Sequence, residues 1–186
     1  MDKEIINYGV YSKSLLNKKI SLSITEIGGN IFQILEMKVK EMTENKCISE
    51  GFVKPDSIKI MSHSAGVINS QDITFGVTFE CLICYPVEGQ KIECTTKTIT
   101  KAGIHAQVID KDNTVPLHIF VAKDHHIMDN YFTSIKEEMK ILVKVIGIRF
   151  ELNDPNICVI SKLIKPETDE KTGGGKKKKI KIIEKN

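Results

Sequence analysis

From residue 73 to residue 83, apolar Ile73, Phe75, Val77, Phe79, Cys81 and Ile83 alternate with Thr74, Gly76, Thr78 and Glu80. A period of two describes a long strand that buries one face. The run Cys84-Tyr85-Pro86-Val87-Glu88-Gly89 breaks it. Lys91 to Thr100 then predicts a second strand, which Lys101-Ala102-Gly103-Ile104 turns into a third. A long strand, a Pro-Gly break and a new series of strands mark a junction at which one sheet hands over to another.

Upstream of the junction, Tyr8, Val10, Tyr11, Leu15, Leu16, Ile20 and Leu22 predict an early strand and turn over 8–22. Gly28-Gly29-Asn30 can start a helix with Asn30 as its cap. Ile31, Ile34, Leu35, Val39 and Met42 follow at helical spacing against Gln33, Glu36, Lys40 and Glu41. Cys47, Ile48, Phe52 and Val53 predict one short strand halted by Pro55, and Ile58 to His63 another. Residues 64–70 read as a small-residue loop before the long strand. The order β, α, β, β, β with a single helix predicts a small α/β sandwich.

Downstream, the strand candidates are 90–100, 103–110, 115–122, 139–148 and 156–164. A polar connection from Asp124 to Tyr131, partly helical, separates the third from the fourth. Asn153-Asp154-Pro155-Asn156 is a turn before the last. Five strands with a longer excursion after the third predict an OB-type Greek-key barrel. The expected class is α+β, with a tip domain over 1–86 and a barrel over 87–165. A Lys-rich tail over 166–186 has too few apolar residues to offset the entropy of ordering, so disorder is expected there.

Charge is divided along the same lines. Residues 171–186 hold seven Lys and one Glu, so the chain's formal +3 combines a +6 tail with a −3 body. The body's charge therefore gives no argument for nucleic-acid binding. The tail reads as a solubilising segment or, more sharply, as a nonspecific nucleic-acid contact or nuclear-import signal. No apolar run approaches the roughly 20 residues of a membrane helix. Met1-Asp2-Lys3-Glu4 lacks the order of a secretory signal. These features predict an intracellular protein with no membrane partner and five free thiols.

Candidate chemistry is sparse. Cys81-Leu82-Ile83-Cys84 is a CxxC, but strand alternation sends Cys81 and Cys84 to opposite faces, which favours buried core thiols over a metal or redox pair. His125-His126, with His105 and His118 upstream, lacks a spaced carboxylate or thiolate partner. That reads as a solvated loop or phosphate contact rather than a metal or acid–base cluster. No phosphate-cradling Gly loop and no nucleophile motif is present. Neither a catalytic residue, a metal site nor a cofactor is expected.

Three stretches carry a family resemblance. Ser64-Ala65-Gly66-Val67-Ile68 resembles the Gly-rich tip loop of the larger stalk subunit of cellular RNA polymerases. Tyr85-Pro86-Val87-Glu88-Gly89, leading into Ile99 to Ile104, resembles that family's approach to its S-one-type barrel. Val145-Ile146-Gly147-Ile148-Arg149, followed by Asn153-Asp154, is similar to the barrel's fourth strand and the turn after it. The family includes archaeal members and subunit seven of RNA polymerase II. The likeness covers roughly residues 8–165.

The resemblance implies a non-catalytic stalk subunit of a DNA-dependent RNA polymerase. Its first domain would dock on the core beside the clamp through Ser64, Ala65, Gly66, Val67 and Ile68. A smaller stalk subunit would pack along both domains, and the barrel would face nascent RNA. Lys97, Lys101, His105, Phe120, Lys123 and Arg149 are the candidate RNA contacts, chosen by strand position and side-chain type. The chain departs from the family where Ile104 and His105 follow Gly103 in place of an aromatic. One stacked base contributes about 1–3 kcal/mol, so weak RNA binding is expected. The Lys tail and the Ile/Lys bias suit a homologue from a large DNA virus, working in nucleus, cytoplasm or virion. The alternative is a free-standing OB-fold factor of translation or RNA decay.

Overall fold

The computed structural model describes residues 9–126 and 129–165. Two strands of 13 residues dominate the first half: β1 (Tyr11–Ser23) and β6 (Asp72–Cys84). They pair antiparallel without a register shift, from Tyr11 opposite Cys84 to Ser23 opposite Asp72. Between them lie α1 (Ile31–Thr43), β2 (Cys47–Ile48), β3 (Gly51–Val53), β4 (Lys59–His63) and β5 (Val67–Asn69). Asn30 caps α1 as its sequence predicts, its Oδ1 accepting the Phe32 N–H at 3.2 Å. Leu35 and Val39 of α1 are buried with Ile20, Leu22, Phe75, Val77, Phe79, Cys81 and Ile83. The helix thus covers one face of the β1–β6 layer and gives the tip domain its core.

Two local readings need correction. The single strand expected around Cys47 to Val53 is a hairpin, because Ser49-Glu50 turns the chain and Gly51 resumes it at φ +127°. A Cβ at Gly51 would strike the Cys84 carbonyl, so β3 can approach β6 only through a glycine. The expected loop 64–70 is also partly strand. Val67, Ile68 and Asn69 pair with Thr74, Ile73 and Asp72, since the long β6 leaves backbone groups there to be satisfied. Gly66 sits where a Cβ would meet Ile73 and the Phe75 ring.

The second half closes into a barrel of five strands. β7 (Lys91–Ile99), β8 (Gly103–Val108), β9 (Leu117–Ala122), β10 (Lys140–Arg149) and β11 (Ile157–Ile164) run in the order β10-β11-β9-β8-β7. β11 lies parallel to β9 and every other pairing is antiparallel. The connection after β9 holds a 3-10 turn at Lys123–His126 and the short α2 (Asn130–Ser134), capped by Asp129. This is the expected OB-type barrel. The Lys-rich tail lies outside the described residues.

Both domains share the core at the junction. Tyr11, Cys47, Phe52 and Cys84 are buried in one cluster with barrel residues Ile92, Ile119 and Ile157. The Cys47 N–H donates to the Asp154 carbonyl at 2.8 Å, and the Asn153 N–H to the Cys47 carbonyl at 2.8 Å. Lys54 reaches across to Asp110 and Asp112, the latter at 2.9 Å, with its ammonium 5.4 Å from the Tyr11 ring centre. The strand β6 therefore serves two cores, one from each face.

Candidate functional site

Strand register on the barrel's outer face assembles a groove of about 700 Å³. Thr98, His105, Phe120 and Ile160 stand in one cross-strand row over β7, β8, β9 and β11. Gln107, His118, Cys158 and Arg149 form the next row. His105 and Phe120 face each other with ring centres 4.9 Å apart and planes at 47°. Gln107 Nε2 and His118 Nε2 are 3.3 Å apart. Gly147, beside a bulge in β10, has open space where a Cβ would be, so the groove runs over it without obstruction.

The aromatic floor depends on Gly103. A Cβ there would collide with the Val121 carbonyl and come within 2.9 Å of the Phe120 ring. Phe120 therefore lies back over the glycine and keeps part of one face toward solvent. With Ile160 half-exposed beside it, the groove combines a flat apolar surface with cations at its rim, a combination that stacks bases and holds phosphates.

Its electrostatics are mild. Arg149 is 3.4 Å from Glu151 and Lys97 is 2.9 Å from Glu138, so each cation is shared with a carboxylate. Burial, together with neighbouring His105, pushes the His118 imidazole below its ordinary pKa, leaving it uncharged at neutral pH.

The structure gathers Lys97, His105, Phe120 and Arg149 from the sequence-derived set into this groove. Lys101 and Lys123 lie instead in a separate depression of about 420 Å³, with Asp124, His126 and Asp129. The turn Thr100–Gly103 carries Lys101 past the strand end, where Lys123 N–H donates to the Ala102 carbonyl. Gln107, His118, Cys158 and Ile160 were not among the sequence-derived contacts. Their signal is pairing register, which alternation within one strand does not reveal.

His126, expected in a solvated loop, is buried. It stacks on Phe132 with ring centres 5.1 Å apart, and its Nε2 accepts the Leu163 N–H at 3.0 Å. Burial depresses its pKa, with Asp129 opposing. The CxxC cysteines occupy the two different cores, and burial pushes Cys81 up to about 11 and Cys84 up to about 12. Neither thiol has the depressed pKa of a nucleophile. Among the described residues, no group of three or more His, Cys, Asp and Glu is placed to hold a metal ion.

At the far end of the molecule, Ser64 to Ile68 lead into the β5–β6 hairpin. Val67 and Ile68 are 62% and 70% exposed on it, an apolar pair held in water. Gly66 packs against the strand so closely that any side chain there would displace Ile73 or Phe75.

No protein-family model matches the chain. A protein of Acanthamoeba polyphaga mimivirus named as a DNA-directed RNA polymerase subunit is 26% identical over 171 residues, 87% of this chain and 85% of that one. DNA-directed RNA polymerase II subunit 7 of Arabidopsis thaliana is 27% identical over 155 residues, 74% of this chain and 84% of that one. Over most of its length, then, the chain is similar to proteins named as DNA-directed RNA polymerase subunits, one viral and one cellular.

Proposed function

We propose that the chain is a non-catalytic subunit of a DNA-directed RNA polymerase and forms part of its stalk. The observation that carries this reading is similarity over most of both chains to a viral protein named as a DNA-directed RNA polymerase subunit. The extent of the match matters here, because tip domain and barrel are both covered rather than a barrel alone. In this reading Val67 and Ile68, with the close backbone at Gly66, dock on the polymerase core near the clamp. The barrel groove around Phe120 meets emerging RNA, and a smaller subunit packs along both domains.

The groove supports a contact that is weak and sequence-tolerant. One Phe tilted against one His gives a limited platform, and both rim cations are partly neutralised. Such a contact suits a transcript that must slide past rather than be held.

The test is purification of the tagged full chain from its native source, followed by identification of co-eluting chains. Recovery of the large polymerase subunits in stoichiometric amounts is the expected result. Recovery of the chain alone or on free RNA would overturn the assignment in favour of a free-standing factor.

A further inference from the structure

The tip sheet has a second face that α1 does not cover. Cross-strand rows run over β1, β6 and the β4–β5 segment: Ser21–Thr74–Val67, Lys19–Gly76–Ser64, Asn17–Thr78–Ser62 and Leu15–Glu80–Lys59. All of these residues are exposed or half-buried. A groove of about 530 Å³ crosses the middle rows, and its floor is Gly76, which has no side chain to fill it. The Ser64 hydroxyl accepts the Gly76 N–H at 2.9 Å and donates to the Ala65 carbonyl, so the floor's own polar groups are satisfied. The Thr78 hydroxyl donates to Asn17 Oδ1, which leaves the Asn17 amide nitrogen as the donor of that side chain.

Charge along the groove itself is one-sided, with the carboxylates of this face, Glu80 and Asp72, in the flanking rows. Among the described residues, no carboxylate lines the groove. Glu80, in the neighbouring row, is held by Lys13 at 2.8 Å. Lys19 and Lys59 have no ion-pair partner among the described residues, in contrast to Lys97 and Arg149 of the barrel groove. Lys19, the Asn17 amide and the Ser62 hydroxyl thus present donors with no acceptor opposite them.

We propose that this face takes an extended acidic segment of a polymerase core subunit, continuing the contact made by the β5–β6 hairpin. The inference rests on the reading of the tip as the docking end. A carboxylate-bearing peptide fits better than nucleic acid for two reasons. Among the described residues no Phe, Tyr or Trp lines the groove, and the one ring there, His63, is engaged edge-on with Phe75 at 6.1 Å and with Phe32 at 6.5 Å, so it offers a base little to stack on. Leu15 and Val67, each 62% exposed, stand at the two ends of the same face. A phosphate backbone would leave both in water, whereas a peptide with apolar residues flanking its carboxylates covers them.

The proposal is tested by titrating isotope-labelled full chain with an octaglutamate peptide and, separately, with octauridylate, following backbone amide shifts. Octaglutamate should shift Lys19, Ser62, Ser64 and Gly76, and the pair Lys19→Ser with Lys59→Ser should weaken that binding about tenfold. Shifts absent from these four amides, or larger there with octauridylate, would overturn it. In assembled polymerase, a photo-crosslinking amino acid at position 17 should join an acidic segment of a core subunit. A cross-link to RNA, to the smaller stalk subunit or to nothing, in a complex that still co-purifies, would reject the inference and leave the stalk reading standing.

Discussion

In the barrel, β7 and β10 pair from Lys91 opposite Lys144 to Thr95 opposite Lys140, so every strand has two neighbours, whereas β1 of the tip sheet pairs with β6 alone. Closure satisfies the barrel's backbone internally and leaves only its outer side chains to work with. The tip sheet keeps an open face, an open edge among the described residues, and a hairpin with exposed Val67 and Ile68. Closure therefore decides which half can be self-sufficient. In the proposed function, the closed barrel meets the transient ligand and the open sheet, with its apolar residues in water, meets the lasting partner.

The contrast is most vulnerable at the junction, where the halves share a core. Phe52 is fully buried there among residues of both domains. Phe52→Ala should cost about 3–5 kcal/mol and shift unfolding of both halves together in a denaturant titration read by circular dichroism. Two separated transitions, with only one of them moved, would show that the halves fold independently.

Within the barrel, Gly103→Ala should cost about 1–3 kcal/mol, because its Cβ meets a backbone carbonyl that cannot give way. The same change should dislodge Phe120 and weaken RNA binding, measured by fluorescence anisotropy. Phe120→Ala alone should lower affinity for single-stranded RNA by about 1–3 kcal/mol per stacked base while the melting temperature hardly moves. An unchanged affinity would remove Phe120 from the interface.

A smaller effect is expected from pH. His126 is held neutral in the fold, since its Nε2 accepts the Leu163 N–H and burial disfavours the imidazolium. Its folded pKa lies below the unfolded value, so the unfolded chain binds the extra proton first. The stabilisation is complete above pH of about 6.5 and is lost as pH falls through the folded pKa. Denaturation midpoints should fall between neutral and mildly acidic pH, and His126→Gln should flatten that slope. Truncation after Lys165 should leave these midpoints in place and reduce only the salt dependence of RNA affinity.

Much of this was legible along the chain, and for a physical reason. The alternation from Ile73 to Ile83 placed β6 and sent Cys81 and Cys84 to opposite faces, where burial in two different cores accounts for both. Periodicity of 3.6 and the Asn30 cap placed α1. What stayed hidden depends on partners distant in sequence. The β2–β3 hairpin exists because Gly51 fits against Cys84, and β5 exists because β6 offers it an edge. The groove's second row needs the parallel β9–β11 register, which brings His118 beside Cys158 across 40 residues. His126 looked like a loop residue because its partners, Phe132 and Leu163, are spread over two further elements.

The division of labour between the two halves comes down to one paired measurement. Ile68→Glu and Phe120→Ala are each carried on the full chain and assayed for polymerase co-purification and for RNA affinity of the isolated protein. Ile68→Glu should abolish co-purification and leave RNA affinity unchanged, whereas Phe120→Ala should lower RNA affinity by about 1–3 kcal/mol and leave co-purification intact. Normal recovery of polymerase with Ile68→Glu, or loss of RNA binding from it, would contradict the account.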